Sequence, residues 1–169
     1  MSPSRRALLK TTEAFISLFT QPFSDSAAFA LRAPDCKHYL GPSTPNLTFT
    51  SNKDSVMSWS ALQWAFRNYK FTLIDGREPI IDTEARKSVF WVRGTANTAD
   101  GPYEHDIVFM LTMDEEGDKI QEIVEVCDSA YVAGWMEKFG DDEFRRRSLE
   151  WQMKEDVRVS LVGEAGSLV

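Results

Sequence analysis

Between residues 4 and 20 one face of the chain repeats at helical spacing through Leu8, Thr12, Phe15, Ile16 and Phe19, while Lys10, Glu13 and Ser17 fall elsewhere. That period predicts an amphipathic helix, which Pro22 stops. Ser24 to Leu31, with Ala27, Ala28, Phe29 and Leu31, predicts a short second helix limited by Pro34. Gly41, Pro42 and Pro45 make residues 36 to 50 read as a loop or a short extended segment. Ser51 and, three positions on, Asp54 form a capping box; Val56, Trp59, Leu62 and Phe66 then line a third helix to about Asn68.

From Phe71 the period changes. Phe71 to Asp75 reads as a strand ending at Gly76, and Ile80 to Ala96 as a long β-forming run centred on Ser88-Val89-Phe90-Trp91-Val92. Asn97 to Pro102 is a turn, Tyr103 to Met113 a strand, Asp114 to Asp118 a hairpin turn, and Lys119 to Cys127 the last strand. Asp128 or Ser129 caps a closing helix carrying Tyr131, Val132, Trp135, Met136 and Phe139, with Gly140 at its end. Residues 141–169 read as a charged tail, a frayed helix and then disorder, after a single domain over residues 1–140. Helices followed by an antiparallel meander and a helix predict an α+β domain, a curved antiparallel sheet wrapped around N-terminal helices. Such a cone has an open end that serves as a pocket.

Composition narrows the possibilities. The 169 residues carry 19 Lys plus Arg against 26 Asp plus Glu, a net charge of −7, which argues against non-specific binding to nucleic acid or an anionic membrane. No apolar run reaches the length of a membrane-spanning helix. Lys10 to Glu13 interrupt the stretch after Arg5 and Arg6, so no signal peptide is expected, and two distant cysteines fit a reducing, cytoplasmic setting. Eleven Phe, five Trp and four Tyr exceed what a small acidic domain needs, so rings must fill a core, an interface or a pocket.

The order of elements and the stretch Asp114 to Ser129 resemble the NTF2-like (SnoaL-like) cone family over roughly residues 5 to 139. Within it the chain resembles fungal secondary-metabolism isomerases and cyclases of the brevianamide semipinacolase type. The matching stretches are Arg32 through Cys36 and His38 to Pro42-Ser43, Tyr103-Glu104-His105-Asp106, and Glu125-Val126-Cys127-Asp128-Ser129. His105 and Asp106 stand where the family pattern has Asn and Glu, and Val126-Cys127 where it has Phe-Val. The resemblance implies a cofactor-independent isomerase or cyclase working on an alkaloid or polyketide intermediate.

Strand alternation points to particular residues. Gln121, Ile123, Glu125 and Cys127 share one face of the last strand, so Glu125 lies among apolar neighbours, where a desolvated carboxyl suits general acid or base work. Tyr103, His105, Ile107, Phe109 and Leu111 share a face of the preceding strand, with Tyr103 and His105 toward the mouth and Phe109 deeper. Arg32, at the end of the second helix, would pair with Glu125 or hold a developing oxyanion. The expected catalytic pair is Arg32 and Glu125; the expected substrate-binding residues are Tyr103, His38, His105, Phe109 and Asp128.

Each has a plainer alternative: Glu125 as an ion-pair partner, Tyr103 as a rim aromatic, either histidine as structural, Asp128 as a helix cap, and Trp59, Phe66 and Trp135 as core. Cys36, His38, His105 and Cys127 lack zinc-site spacing, so no metal is expected. No nucleophile elbow, phosphate loop or dinucleotide fingerprint is present, so no cofactor is expected. A dehydratase using a pocket histidine and a non-catalytic ligand-binding protein are the alternatives. Ile120, Val124 and Val126 beside Val108 and Met110 leave the other sheet face apolar, which predicts a homodimer through it.

Overall fold

A computed structural model describes residues 2–20, 22–41, 48–49 and 51–165. The loop expected around Pro42 and Pro45, the Pro42-Ser43 part of the family-like motif and the last residues of the tail lie outside it.

Ser4 caps α1 (Arg5–Leu18), accepting a hydrogen bond from the Ala7 amide; Ser24 does the same from Ala27 for α2 (Asp25–Leu31). Then comes the largest departure from the sequence reading. Residues 36 to 41, read as part of a loop or short extended segment, belong to a ten-residue strand, β1 (Arg32–Gly41). The signal was the alternation of buried Cys36 and His38 with exposed Lys37 and Tyr39, hidden by the flanking Pro34 and Gly41. A two-residue β2 (Thr48–Phe49) pairs with it.

Ser51 caps α3 (Asn52–Leu62) through the Asp54 amide as the capping box requires, but the helix ends six residues before Asn68. A 3-10 turn, Gln63–Ala65, leads into β3 (Arg67–Leu73). The long β-forming run is two strands, β4 (Ile80–Asp82) folding back on β5 (Lys87–Thr98). β6 (Gly101–Met113), β7 (Ile120–Cys127) and α4 (Ser129–Phe139) complete the cone. The charged segment read as a frayed helix and then disorder is helical over α5 (Asp142–Ala165), with Phe144 and Ser148 buried.

The sheet runs β2-β1-β7-β6-β5-β3 with β4 also on β5. It is mixed rather than wholly antiparallel, because β1 lies parallel to β7. This follows from the connectivity: β1 and β7 are far apart in sequence and meet only after the meander has returned. Pairing sets the inward rows. Leu40 lies beside Glu125, Glu125 beside Phe109 and Phe109 beside Phe90; Phe71, Gly94 and His105 form another row.

α1 fills the narrow end of the cone. Phe15 packs edge-on to Phe109 with ring centroids 5.1 Å apart, and Phe19 lies 4.3 Å from Phe71. Thr12, fully buried, is satisfied by the Leu8 carbonyl and by Ser88 Oγ at 2.8 Å. A register shift between Thr112 and Met113 turns Ile120 into the core, fully buried, rather than onto the outer face where strict alternation placed it.

Candidate active site

The wide end of the cone is a cavity of about 160 Å³. Its floor is Leu40, Phe49, Phe66, Tyr103, His105 and Glu125; α3 contributes Ser58, Trp59 and Leu62, and α4 contributes Val132, Trp135, Met136 and Phe139. Trp59, Phe66 and Trp135, expected as core, therefore line the cavity as well. The geometry of α4 makes this possible: Val132, Trp135, Met136 and Phe139 follow helical spacing, so one stripe faces down.

Glu125 is 6% exposed, and its Oε2 lies 3.2 Å from His38 Nε2. His38 Nδ1 lies 2.7 Å from Ser55 Oγ. Ser55 and His38 are buried at 0% and 2% exposure, so serine, imidazole and carboxylate form a chain ending at the cavity wall. The hydroxyl is too enclosed to act as a nucleophile; it fixes the imidazole, which holds the carboxylate. The residue reading named His38 and Glu125 but paired Glu125 with Arg32, and it missed Ser55. A serine in an otherwise apolar stripe with Trp59 and Leu62 was the available signal.

Tyr103 and His105 form a second polar pair. Tyr103 Oη lies 3.0 Å from His105 Nδ1, and the His105 ring stacks on Tyr131 with centroids 5.5 Å apart. Burial lifts the Tyr103 phenol well above its ordinary range, reinforced by Tyr131 and Glu125. Burial also pulls the His105 imidazole down, against the opposing pull of Glu125, Asp106 and Asp128. Burial thus favours the neutral form of His105. Asp106 faces outward and holds Arg93, whose Nε lies 2.7 Å from its Oδ1.

Four expected site residues lie outside the cavity wall; His38, expected to bind substrate, stands behind Glu125. Arg32 is 7% exposed but is not part of the cavity wall. Its Nε and Nη1 are buried without a hydrogen-bond partner among the described residues, and Cys36 and Glu125 act on it through their charge. The reason is register: Arg32 stands opposite Ile120 on β7, whereas Glu125 stands opposite Leu40. Phe109, fully buried, belongs to the core, because Phe15 and Phe19 fill the space beneath it. Asp128 is exposed and caps α4, accepting from the Ala130 and Tyr131 amides. Among the described residues no group of acidic, histidine and cysteine side chains has the arrangement of a metal site.

A curved sheet wrapped on helices, with an apolar cavity at its open end, is the NTF2-like fold. No protein-family model matches the chain. Austinoid biosynthesis cluster protein H of Aspergillus calidoustus is 30% identical over 139 residues, covering 82% of this chain and 94% of that protein. Among solved structures, BvnE pinacolase from Penicillium brevicompactum is 26% identical, with a TM-score of 0.73 over 79% of this chain and 90% of its own. AusH from Aspergillus nidulans is 28% identical, with a TM-score of 0.69 over 75% and 87%. The chain belongs to the family of NTF2-like proteins from fungal biosynthesis clusters that includes austinoid biosynthesis cluster protein H.

Proposed function

We propose that this protein is a cofactor-independent isomerase or cyclase that rearranges an apolar, polycyclic natural-product intermediate by proton transfer. One observation carries the reading: the buried Glu125 carboxyl, held by His38 and through it by Ser55, in the wall of a cavity otherwise mostly apolar. Similarity to a protein described as a pinacolase supports a rearrangement as the reaction class.

In this scheme Glu125 removes a proton from one substrate atom and its conjugate acid returns a proton to another. The base is regenerated, no electrons leave the substrate, and proton transfer alone balances the isomerisation. The His38 ring keeps the carboxylate aimed while the surrounding aromatic rings exclude water. Arg32 contributes a buried positive charge near Glu125 and does not line the cavity. Tyr103, bonded to His105, stands on the floor as part of the binding surface.

The test is complementation of a producing strain whose own copy has been deleted, read by mass spectrometry of the metabolites. Glu125→Gln keeps the side-chain shape and should cut product by about 100-fold or more, the scale of a lost general base. Full product from Glu125→Gln would end the proposal. A dehydratase is the second reading, favoured by the placement of His105 in the cavity wall. Loss of product in His105→Ala with Glu125→Gln unaffected would select it. Unchanged product in both variants would select a ligand-binding protein without catalysis.

A further inference from the structure

His105 has one nitrogen accounted for and one not. Nδ1 meets Tyr103 Oη at 3.0 Å, while Nε2 is buried and has no hydrogen-bond partner among the described residues. The residue is 7% exposed and lies in the cavity wall. A buried polar nitrogen without a partner, on a residue that lines a cavity, is costly unless a small movement of the ring lets something that enters the cavity complete it.

The tautomer follows from counting donors. If Nδ1 carried the proton and gave it to Tyr103, the phenol hydrogen and the Nε2 lone pair would both be left without partners. If the phenol donates to Nδ1, the phenol is satisfied and Nε2 carries a hydrogen. The second arrangement leaves one group open instead of two, and that group is a donor. Stacking on Tyr131 fixes the ring plane, and Gly94, paired with His105, leaves room for Tyr69. A Cβ at position 94 would stand 2.8 Å from Tyr69 Oη.

We propose that His105 is a carbonyl receptor: a neutral imidazole whose Nε2–H donates to a ketone or ester oxygen of the substrate and so orients it toward Glu125. The substrate class is thereby narrowed to carbonyl-bearing compounds. The proposal rests on the cavity being the substrate site. The burial that favours the uncharged imidazole makes this a dipolar donor, suited to a neutral carbonyl rather than a carboxylate.

The test uses the full chain labelled with 15N-histidine. The chain has two histidines, so a His105→Phe variant assigns the signals. Long-range 1H–15N correlation should show the Nε2–H tautomer at pH 7. Adding 1-indanone should shift the Nε2–H proton, whereas indane, which lacks only the carbonyl oxygen, should bind about tenfold more weakly and leave that proton unmoved. His105→Phe should erase the preference, and His105→Asn, which retains a donor, should keep part of it. An Nδ1–H tautomer, an imidazolium at pH 7, equal binding of the two probes, or no response to either would overturn the proposal. Because the readout involves no turnover, it separates from the catalytic reading. An active Glu125→Gln beside a positive indanone result would remove the acid–base role and leave the receptor standing.

Discussion

The Ser55 hydroxyl sets how firmly His38 and Glu125 are held. Removing it leaves His38 Nδ1 buried without its partner, at a cost of about 1–3 kcal/mol. Ser55→Ala should therefore lower the melting temperature by roughly 5 °C in differential scanning calorimetry. Ser55→Thr, which keeps the hydroxyl, tests whether the hydrogen bond or the added methyl matters at this fully buried position. Burial raises the Cys36 thiol to about 11 and the Cys127 thiol to about 12. Neither should react with iodoacetamide at pH 8 in the native protein, and both should react in denaturant, as counted by intact-mass spectrometry. His105 gives a pH signature with a definite sign. Its folded-state pKa lies below its unfolded one, so its neutral form stabilises the fold above the unfolded value near 6.5, and that contribution declines as pH falls toward the depressed folded value. Chemical denaturation from pH 7 downward should show stability falling through that window, with a shallower slope in His105→Asn.

At the scale of elements, α5 is the test of how residues 141–169 belong to the fold. Phe144 is 1% exposed, its ring centroid 6.0 Å from Trp135 and 6.5 Å from Phe139, so α5 backs aromatic residues that line the cavity. Phe144→Ala should cost about 3–5 kcal/mol and should loosen Trp135, measured as a red shift in tryptophan emission. Asp100 ties the β5–β6 turn to both closing helices through Lys138 at 3.0 Å and Arg147 at 2.8 Å. These hydrogen bonds hold its carboxyl below the usual range, so the tie is present above the unfolded pKa near 3.9 and is lost as pH falls through the lower folded value. The first four helices were legible from their faces and, for α3 and α4, from the caps Ser51 and Asp128; the caps Ser4 and Ser24 came from the structure. β1 was not, because its pairing partner is β7, more than eighty residues away, and local Pro and Gly signals outweighed a short alternation.

At the scale of the molecule, the outer face of the sheet carries two cross-strand rows. Tyr39, Val124, Met110 and Val89 form one; Gly41, Val126, Val108 and Trp91 form the other. Tyr39, Trp91, Met110 and Val126 are 36–40% exposed. Such a contiguous apolar surface leads us to propose that two copies associate through it. Sedimentation at micromolar concentration should give the dimer mass, and Val126→Lys should shift it toward monomer; a monomeric parent protein would dismiss the proposal.

Periodicity and capping, which depend only on neighbours in sequence, determined the helices, most strands, the α+β class and the inward faces of β6 and β7. They were enough to place Tyr103, His105 and Glu125 on the cavity side. What tertiary structure decided was partnership. The parallel pairing of β1 with β7 placed His38, not Arg32, against Glu125. The docking of Phe15 and Phe19 made Phe109 core, and a one-residue register shift turned Ile120 inward. Contacts of that kind depend on register between strands far apart in the chain, and a single sequence carries that register only as the sum of many weak packing preferences.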